Sequence, residues 1–192
     1  REELDAIFSV SATTRPKSSR EVDGVDYYFI SPARFEEMVQ EDAFLEHAEV
    51  FHCHRYGTLK EPVEKVLSNG KLMLLDIDVQ GALQIRDAIP DAKLIFVLPP
   101  SVDVLLERLR IRGTEESEVL GLRLRSALEE LEVALDFDYI IINEHLSDCV
   151  QEIRDIIEGK ETVGLNSEAI ESIEVCRAGI TSILERDYQK VI

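Results

Sequence analysis

The chain has 192 residues, enough for one domain or one domain with a small insert. Hydrophobic residues make up 45%, which supplies a core and argues against disorder of the whole. Lys plus Arg is 21 against 39 Asp plus Glu, and the net charge of -18 repels nucleic acid and anionic membrane.

Under such a charge, a phosphorylated ligand can bind only where cations are gathered locally. No run reaches the roughly 18 apolar residues of a membrane span, and nothing resembles a signal peptide. Cys53, Cys149 and Cys176 are odd in number and scattered, which fits a reduced, cytoplasmic setting. The first residue is Arg1, not Met.

Phe8–Ser11 alternates apolar and polar and predicts a short strand. Tyr27–Ile30 predicts another, after a turn at Asp23-Gly24. Ser31 as N-cap and Pro32 at the first helical position open a helix in which Phe35, Met38 and Val39 share a face. The runs 71–78, 92–100 and 137–143 are apolar between polar or turn residues, as suits parallel strands covered on both faces. Helical stretches lie between them at Gln80–Ala88, Ser101–Arg110, Ser117–Leu135 and Leu146–Ile157, with Ser101 and Ser147 as N-caps. Strand and helix alternate, which predicts an α/β fold with a parallel sheet. From Ser167 onward, Ile170, Ile173, Cys176, Ile180, Ile183, Leu184 and Val191 recur at helical spacing. That tail reads as an amphipathic helix packed on the body or on a partner.

Three groups of residues carry candidate chemistry. Asp76 and Asp78 close an apolar run just before Gly81. Their spacing of two puts both carboxylates on one side of a strand, where a cation, a metal or ligand donors must offset them. Arg108, Arg110, Arg112, Arg123 and Arg125 flank a Gly-Thr break, and guanidinium groups suit phosphate oxygens; the bland alternative is a solvated helix pair. His47, His52, Cys53 and His54 have poor spacing for a structural zinc site and read as a surface loop.

The segments SVSATTR (9–15), EVDGVDYYF (21–29), FLEHAEV (44–50), YGT (56–58), DIDVQG (76–81), FVLPPS (96–101), RGT (112–114) and IIN (141–143) occur in this order. Together they make the chain resemble the guanylate kinases over roughly Phe8 to Ile157. The resemblance implies a P-loop-NTPase-like parallel sheet with helices on both faces, a β-rich GMP-binding insert near 11–60 and a lid near 108–125. Residues 1–160 would be that domain and 161–192 a helical tail, which packs on the domain or pairs with a second copy. The implied reaction moves the γ-phosphoryl group of Mg-ATP to GMP, with Mg²⁺ arriving with ATP and no direct protein ligand to it.

By the same resemblance, Arg15, Tyr27 and Tyr56 bind the GMP phosphate, and Ser11 and Thr58 offer hydroxyls to the guanine carbonyl. Glu46 and Asp78 accept from the guanine N1–H and amino group. Asp76 sits near the reaction centre, supporting hydrated Mg²⁺ or an arginine. Arg108, Arg112 and Arg123 steady the transferring phosphoryl group, and Asn143 lies on the adenine side of ATP. The partners implied are GMP and ATP, with no nucleic acid and no membrane.

The sequence also departs from the family. No G-x-x-x-x-G-K-[ST] segment occurs in the 192 residues, and Arg1–Phe8 reads as the end of the helix that would follow such a loop. The strand before that loop would lie between the runs 71–78 and 92–100. The expectation is therefore an N-terminally truncated guanylate kinase, inactive without its ATP loop. Ser18 stands where the family usually has a second arginine, and Arg20 where it has glycine; Lys17 or Arg20 is then the substitute cation. One extra residue precedes Tyr56. The alternative reading is a catalytically inactive binding module for GMP or phosphopeptides, with a GMP-binding regulator as a weaker third.

Overall fold

The computed structural model describes residues 6–50, 53–112, 117–160 and 167–188, with the side chains of Ile111, Arg112, Ser117 and Glu118 outside that set. The chain divides into two compact units, Arg1–Ala92 and Lys93–Ile192, each described by itself.

The first unit runs β1 (Ala6–Phe8), β2 (Ala12–Thr13), β3 (Tyr28–Phe29), α1 (Pro32–Gln40), β4 (Phe44–Val50), β5 (His54–Leu59), α2 (Lys60–Ser68), β6 (Leu72–Leu74) and α3 (Val79–Ala88). β1 and β6 form a parallel pair, and the Ser9 N–H donates to the Leu74 carbonyl to extend it. The strand expected at Phe8–Ser11 thus lies earlier, and Ala6–Phe8 is strand rather than the end of a helix. Three apolar residues here find the Leu72–Leu74 ladder, and that pairing overrides local helical preference. Residues 1–5 lie outside the described set. The strand expected over 71–78 is shorter than its apolar run, because the ladder stops at Leu74 and Asp76 and Asp78 lie in the link to α3.

Four strands make the second sheet, in the order β3-β2-β5-β4. Sequence patterning missed β4, β5 and α2. A bulge in β4 sets what each face of this sheet does. Phe44 pairs with Leu59, yet Glu46 pairs with Thr58, so two steps on β4 meet one on β5. Cross-strand partners share a face. Phe44 therefore joins Ala12, Phe35 and Leu59 in an apolar cluster, while Glu46 and Thr58 turn to the opposite side.

That cluster explains α1. Ser31 caps it, its Oγ accepting from the Arg34 N–H at 3.1 Å, and Pro32 occupies the first turn where no N–H is needed. The helix buries Phe35, whose ring stacks on Phe44 with centroids 4.5 Å apart, under the Arg55 guanidinium at 4.5 Å. Gly57 lies opposite Ala12 and His47, where a Cβ would come within 2.7 Å of the Phe44 ring.

The second unit runs β7 (Ile95–Leu98), α4 (Val102–Arg112), α5 (Ser117–Val133), a 3-10 turn (Ala134–Asp136), β8 (Tyr139–Ile142), α6 (Leu146–Ile157) and α7 (Ser167–Asp187). β7 and β8 pair in parallel, as their apolar runs predict. One face of the pair puts Leu98 and Ile140 against Leu124 and Leu131 of α5 and Ala169, Ile173, Cys176 and Ile180 of α7. The other puts Ile141 against Cys149 and Ile156 of α6. Ser101 caps α4, its Oγ accepting from the Val104 N–H at 3.2 Å. Ser147 is not the cap of α6. That helix starts from His145, whose carbonyl accepts from the Asp148 and Cys149 N–H groups, and Ser147 donates to Asp148 instead. The tail helix, read from its spacing, lays its apolar stripe on its own unit; Val191 lies outside the described residues.

Replacing Phe35 with alanine removes the fully buried ring beneath Arg55 and beside Phe44. Chemical denaturation should show a loss of about 3–5 kcal/mol.

Candidate functional site

The face of the second sheet opposite Phe35 carries hydroxyls and a carboxylate. Tyr56 and Thr58 alternate on β5, and Glu46 sits across from Thr58 on β4. Ser11 arrives on the link from β1 to β2, its carbonyl accepting from the Tyr28 N–H at 2.9 Å. Tyr27 is placed by a tight loop. Gly24 turns at a φ of 76°, where its N–H donates to the Tyr27 carbonyl, and Asp23 accepts from the Phe29 N–H. Asp26 closes the loop by accepting from the Val22 N–H.

These residues surround a pocket of about 260 Å³ lined by Ser11, Tyr27, Glu46, Val50, Tyr56, Asp76, Ile77 and Asp78. Asp76 and Asp78 enter from the link after β6, so the pair reaches the pocket from a loop. Asp78 is also the N-cap of α3, its Oδ1 accepting from the Gln80 N–H at 2.8 Å and the Gly81 N–H at 3.0 Å.

Glu46 is only 4% exposed. Its Oε1 accepts from the Thr58 hydroxyl at 2.6 Å, and Thr58 is fully buried. Burial pushes the Glu46 carboxyl above its ordinary 4.5; the Thr58 bond works against that, and the nearby charge of Asp78 adds to it. Gly81 lets α3 come this close, since a Cβ there would stand 2.5 Å from Glu46 Oε2. One turn on, Gln84 clips α3 to β4 by donating to the His47 carbonyl and accepting from the His47 N–H.

Arg15 reaches the tyrosine end of this face. Its Nε donates to the Tyr56 hydroxyl at 3.2 Å, and its guanidinium lies 5.5 Å from the Tyr27 ring centroid and 5.6 Å from that of Phe29. Glu21 clasps the other edge, accepting from Nη1 at 3.0 Å and ion-pairing with Nη2. Arg15 holds the Glu21 carboxyl down at about 2, with the Ser18 N–H adding to the effect. The hydrogen bond to Glu21 raises the guanidinium's own pKa. Burial raises the Tyr27 phenol, and the charges of Tyr56 and Asp76 raise it further.

Ser11, Tyr27, Glu46, Tyr56, Asp76 and Asp78 therefore line one pocket, with Thr58 bonded to its acid and Arg15 to its phenol. Sequence reasoning missed Glu21, because six residues across an irregular loop leave no periodic signal. It also left Gln84 without a role. Lys17 donates to the Glu21 carbonyl, and Arg20 is exposed. His47 packs edge-on to Phe35 and Phe44, while Cys53 and His54 touch each other at 3.3 Å and His52 lies outside the described residues. Among the described residues, no group of three or more His, Cys, Asp or Glu could hold a metal ion.

The remaining candidates belong to the second unit. Arg108 donates from Nη2 to the Asn143 carbonyl at 3.2 Å, and the Asn143 N–H donates to the Leu98 carbonyl at the end of β7. Arg123 on α5 donates to the Leu109 carbonyl on α4. Arg112 ends α4, and its side chain lies outside the described residues.

Residues 1–160 match the family model described as Guanylate kinase. A guanylate kinase of Thermus thermophilus is 45% identical over 186 residues, covering 94% of this chain and 84% of that protein. One of Sphingopyxis alaskensis is 45% identical over 160 residues, covering 83% and 72%. Among solved structures, the guanylate kinase from Anaplasma phagocytophilum aligns with a TM-score of 0.70 at 29% identity, over 94% of this chain and 84% of that one.

The Thr58 hydroxyl favours the charged form of Glu46. Thr58→Val should therefore move the Glu46 pKa further above 4.5, as followed by carboxyl carbon NMR titration.

Proposed function

The chain belongs to the guanylate kinase family, whose members are nucleoside monophosphate kinases, and from that premise we propose that its first unit holds GMP for phosphorylation by Mg-ATP. The single observation that carries this reading is the buried Glu46, bonded to Thr58 behind it, lining one pocket with Asp78, Tyr27 and Tyr56. A carboxylate kept from water needs donors, and the guanine edge offers an N1–H and an amino group side by side. Adenine has an acceptor at N1 and no amino group at C2, so it would bring no donor to the second oxygens of Glu46 and Asp78. Buried groups left unpaired are what make a site of this kind selective.

In this reading Ser11 faces the guanine carbonyl, while Thr58, whose one hydroxyl proton is given to Glu46, acts through that acid and not on the base. Glu46 and the second oxygen of Asp78 take the guanine donors, and Tyr27, Tyr56 and Arg15 take the phosphate. Asp76 lies towards the reacting oxygen. Arg108, Arg112 and Arg123 spread the charge of the transferring phosphoryl group, a reaction that asks for positioning and neutralisation more than covalent chemistry. Asn143 lies on the adenine side of the donor. Mg²⁺ belongs to the reading as part of the Mg-ATP substrate. Among the described residues no helix is long and apolar enough to cross a membrane; the proposed setting is the cytoplasm and the proposed role purine nucleotide metabolism.

Calorimetry on the chain should show binding of GMP and little of AMP, and Glu46→Gln should weaken GMP by roughly 10- to 100-fold. Equal affinity for the two nucleotides would overturn the assignment, and phosphopeptide binding without GMP binding would favour the binding module.

The pH dependence carries a definite sign. Glu46 titrates above its ordinary value, and only its charged form accepts two donors. Guanosine, which has no phosphate to titrate, should bind more weakly as the pH falls from neutral through that raised pKa, and the Glu46→Gln variant should show no such loss. A flat profile for the parent chain counts against the role of Glu46.

A further inference from the structure

Arg15 is the cation of the proposed phosphate subsite, and most of it is already spoken for. A guanidinium has five N–H donors. Nε–H goes to Tyr56, one Nη1–H to the Pro16 carbonyl, the other to Glu21, and one Nη2–H to Glu21 again. Among the described residues, the other Nη2–H has no partner. The group is also flanked by the Tyr27 and Phe29 rings. Glu21 is itself fixed from three sides: by both Nη atoms, by the Ser18 N–H at 2.7 Å, and by Lys17 Nζ on its carbonyl at 2.8 Å. Residues 15 to 21 thus close into a ring around one ion pair.

We propose that Glu21 is a positioning residue for the GMP phosphate: its carboxylate locks the Arg15 guanidinium in one orientation, with the Tyr56 hydroxyl held by Nε and the remaining Nη2–H left for a phosphate oxygen. Arg15 then acts partly through Tyr56. By donating to the phenol oxygen it leaves the phenol proton for the phosphate and strengthens it as a donor. A free arginine would have to be immobilised at the moment of binding; this one is ordered beforehand. Arg15 holds the Glu21 carboxyl down at about 2, so the clasp stays charged through the neutral and mildly acid range. Ser18, standing where the family usually has a second arginine, gives its backbone N–H to the same carboxylate and so reinforces the lock.

The inference rests on the GMP reading above, and the test separates the two. Binding of GMP and of guanosine is measured by calorimetry on the full chain, its Glu21→Ala variant and its Glu21→Gln variant. Glu21→Ala should weaken GMP by on the order of tenfold and leave guanosine unchanged, since guanosine has no phosphate for Arg15 to meet. Glu21→Gln, which keeps one acceptor for Arg15 or Ser18, should recover part of the loss. Tighter GMP binding in Glu21→Ala would make Glu21 a competitor for Arg15 and overturn the proposal. Equal weakening of GMP and guanosine would assign Glu21 to the general integrity of the loop and overturn it too. Parent protein that binds neither ligand would instead sink the GMP reading and this inference with it.

Discussion

One extra residue in β4 decides what the first unit can do. Side chains on a strand alternate, so without the bulge Phe44 and Glu46 would point the same way. Either the acid would enter the aromatic cluster or the ring would enter the pocket. The bulge separates them, sending Phe44 to Phe35 and Leu59 and Glu46 to Thr58. The rest of the site follows that choice. Gly57 leaves room for the Phe44 ring, Gly81 leaves room for the Glu46 carboxylate, and Gln84 fixes the strand just beyond the bulge to α3.

The pocket lining mixes two kinds of polar group: three acids, Glu46, Asp76 and Asp78, and two phenols, one of which is bonded to an arginine that already has a carboxylate partner. A ligand that fits must therefore be two-faced, with donors for the acids and acceptor oxygens for the phenols and the guanidinium. The chain as a whole carries a charge of -18, so attraction of an anion cannot come from its overall field. It depends on hydrogen-bond geometry at a few atoms, and in such a setting the ordering of Arg15 in advance counts for more than added positive charge.

The sequence was most readable where one physical signal acted alone. The apolar runs ending at Leu98 and Ile142 became the parallel pair β7–β8, and the Ser31-Pro32 start became a capped helix. The spacing of Ile173, Cys176 and Ile180 placed the buried stripe of α7. Legibility failed where pairing partners lie far apart in the chain. β4 and β5 mix histidine, arginine and glutamate with apolar residues, and their pattern is further broken by the bulge, so no period of two survives. The pocket residues were legible only through the resemblance of ordered motifs, because Ser11, Glu46 and Asp78 come together through the sheet and not through spacing. Glu21 was legible by neither route.

Asp78 serves two masters, and the division is instructive for how such a pocket could diverge over generations. One of its oxygens begins α3, a duty that asparagine or serine performs about as well. The same residue also lines the cavity, where chemical identity matters. Drift at this codon could then alter what the cavity accepts while the helix start survives, whereas drift at Glu46, sealed between Thr58 and Gly81, would disturb packing and recognition at once.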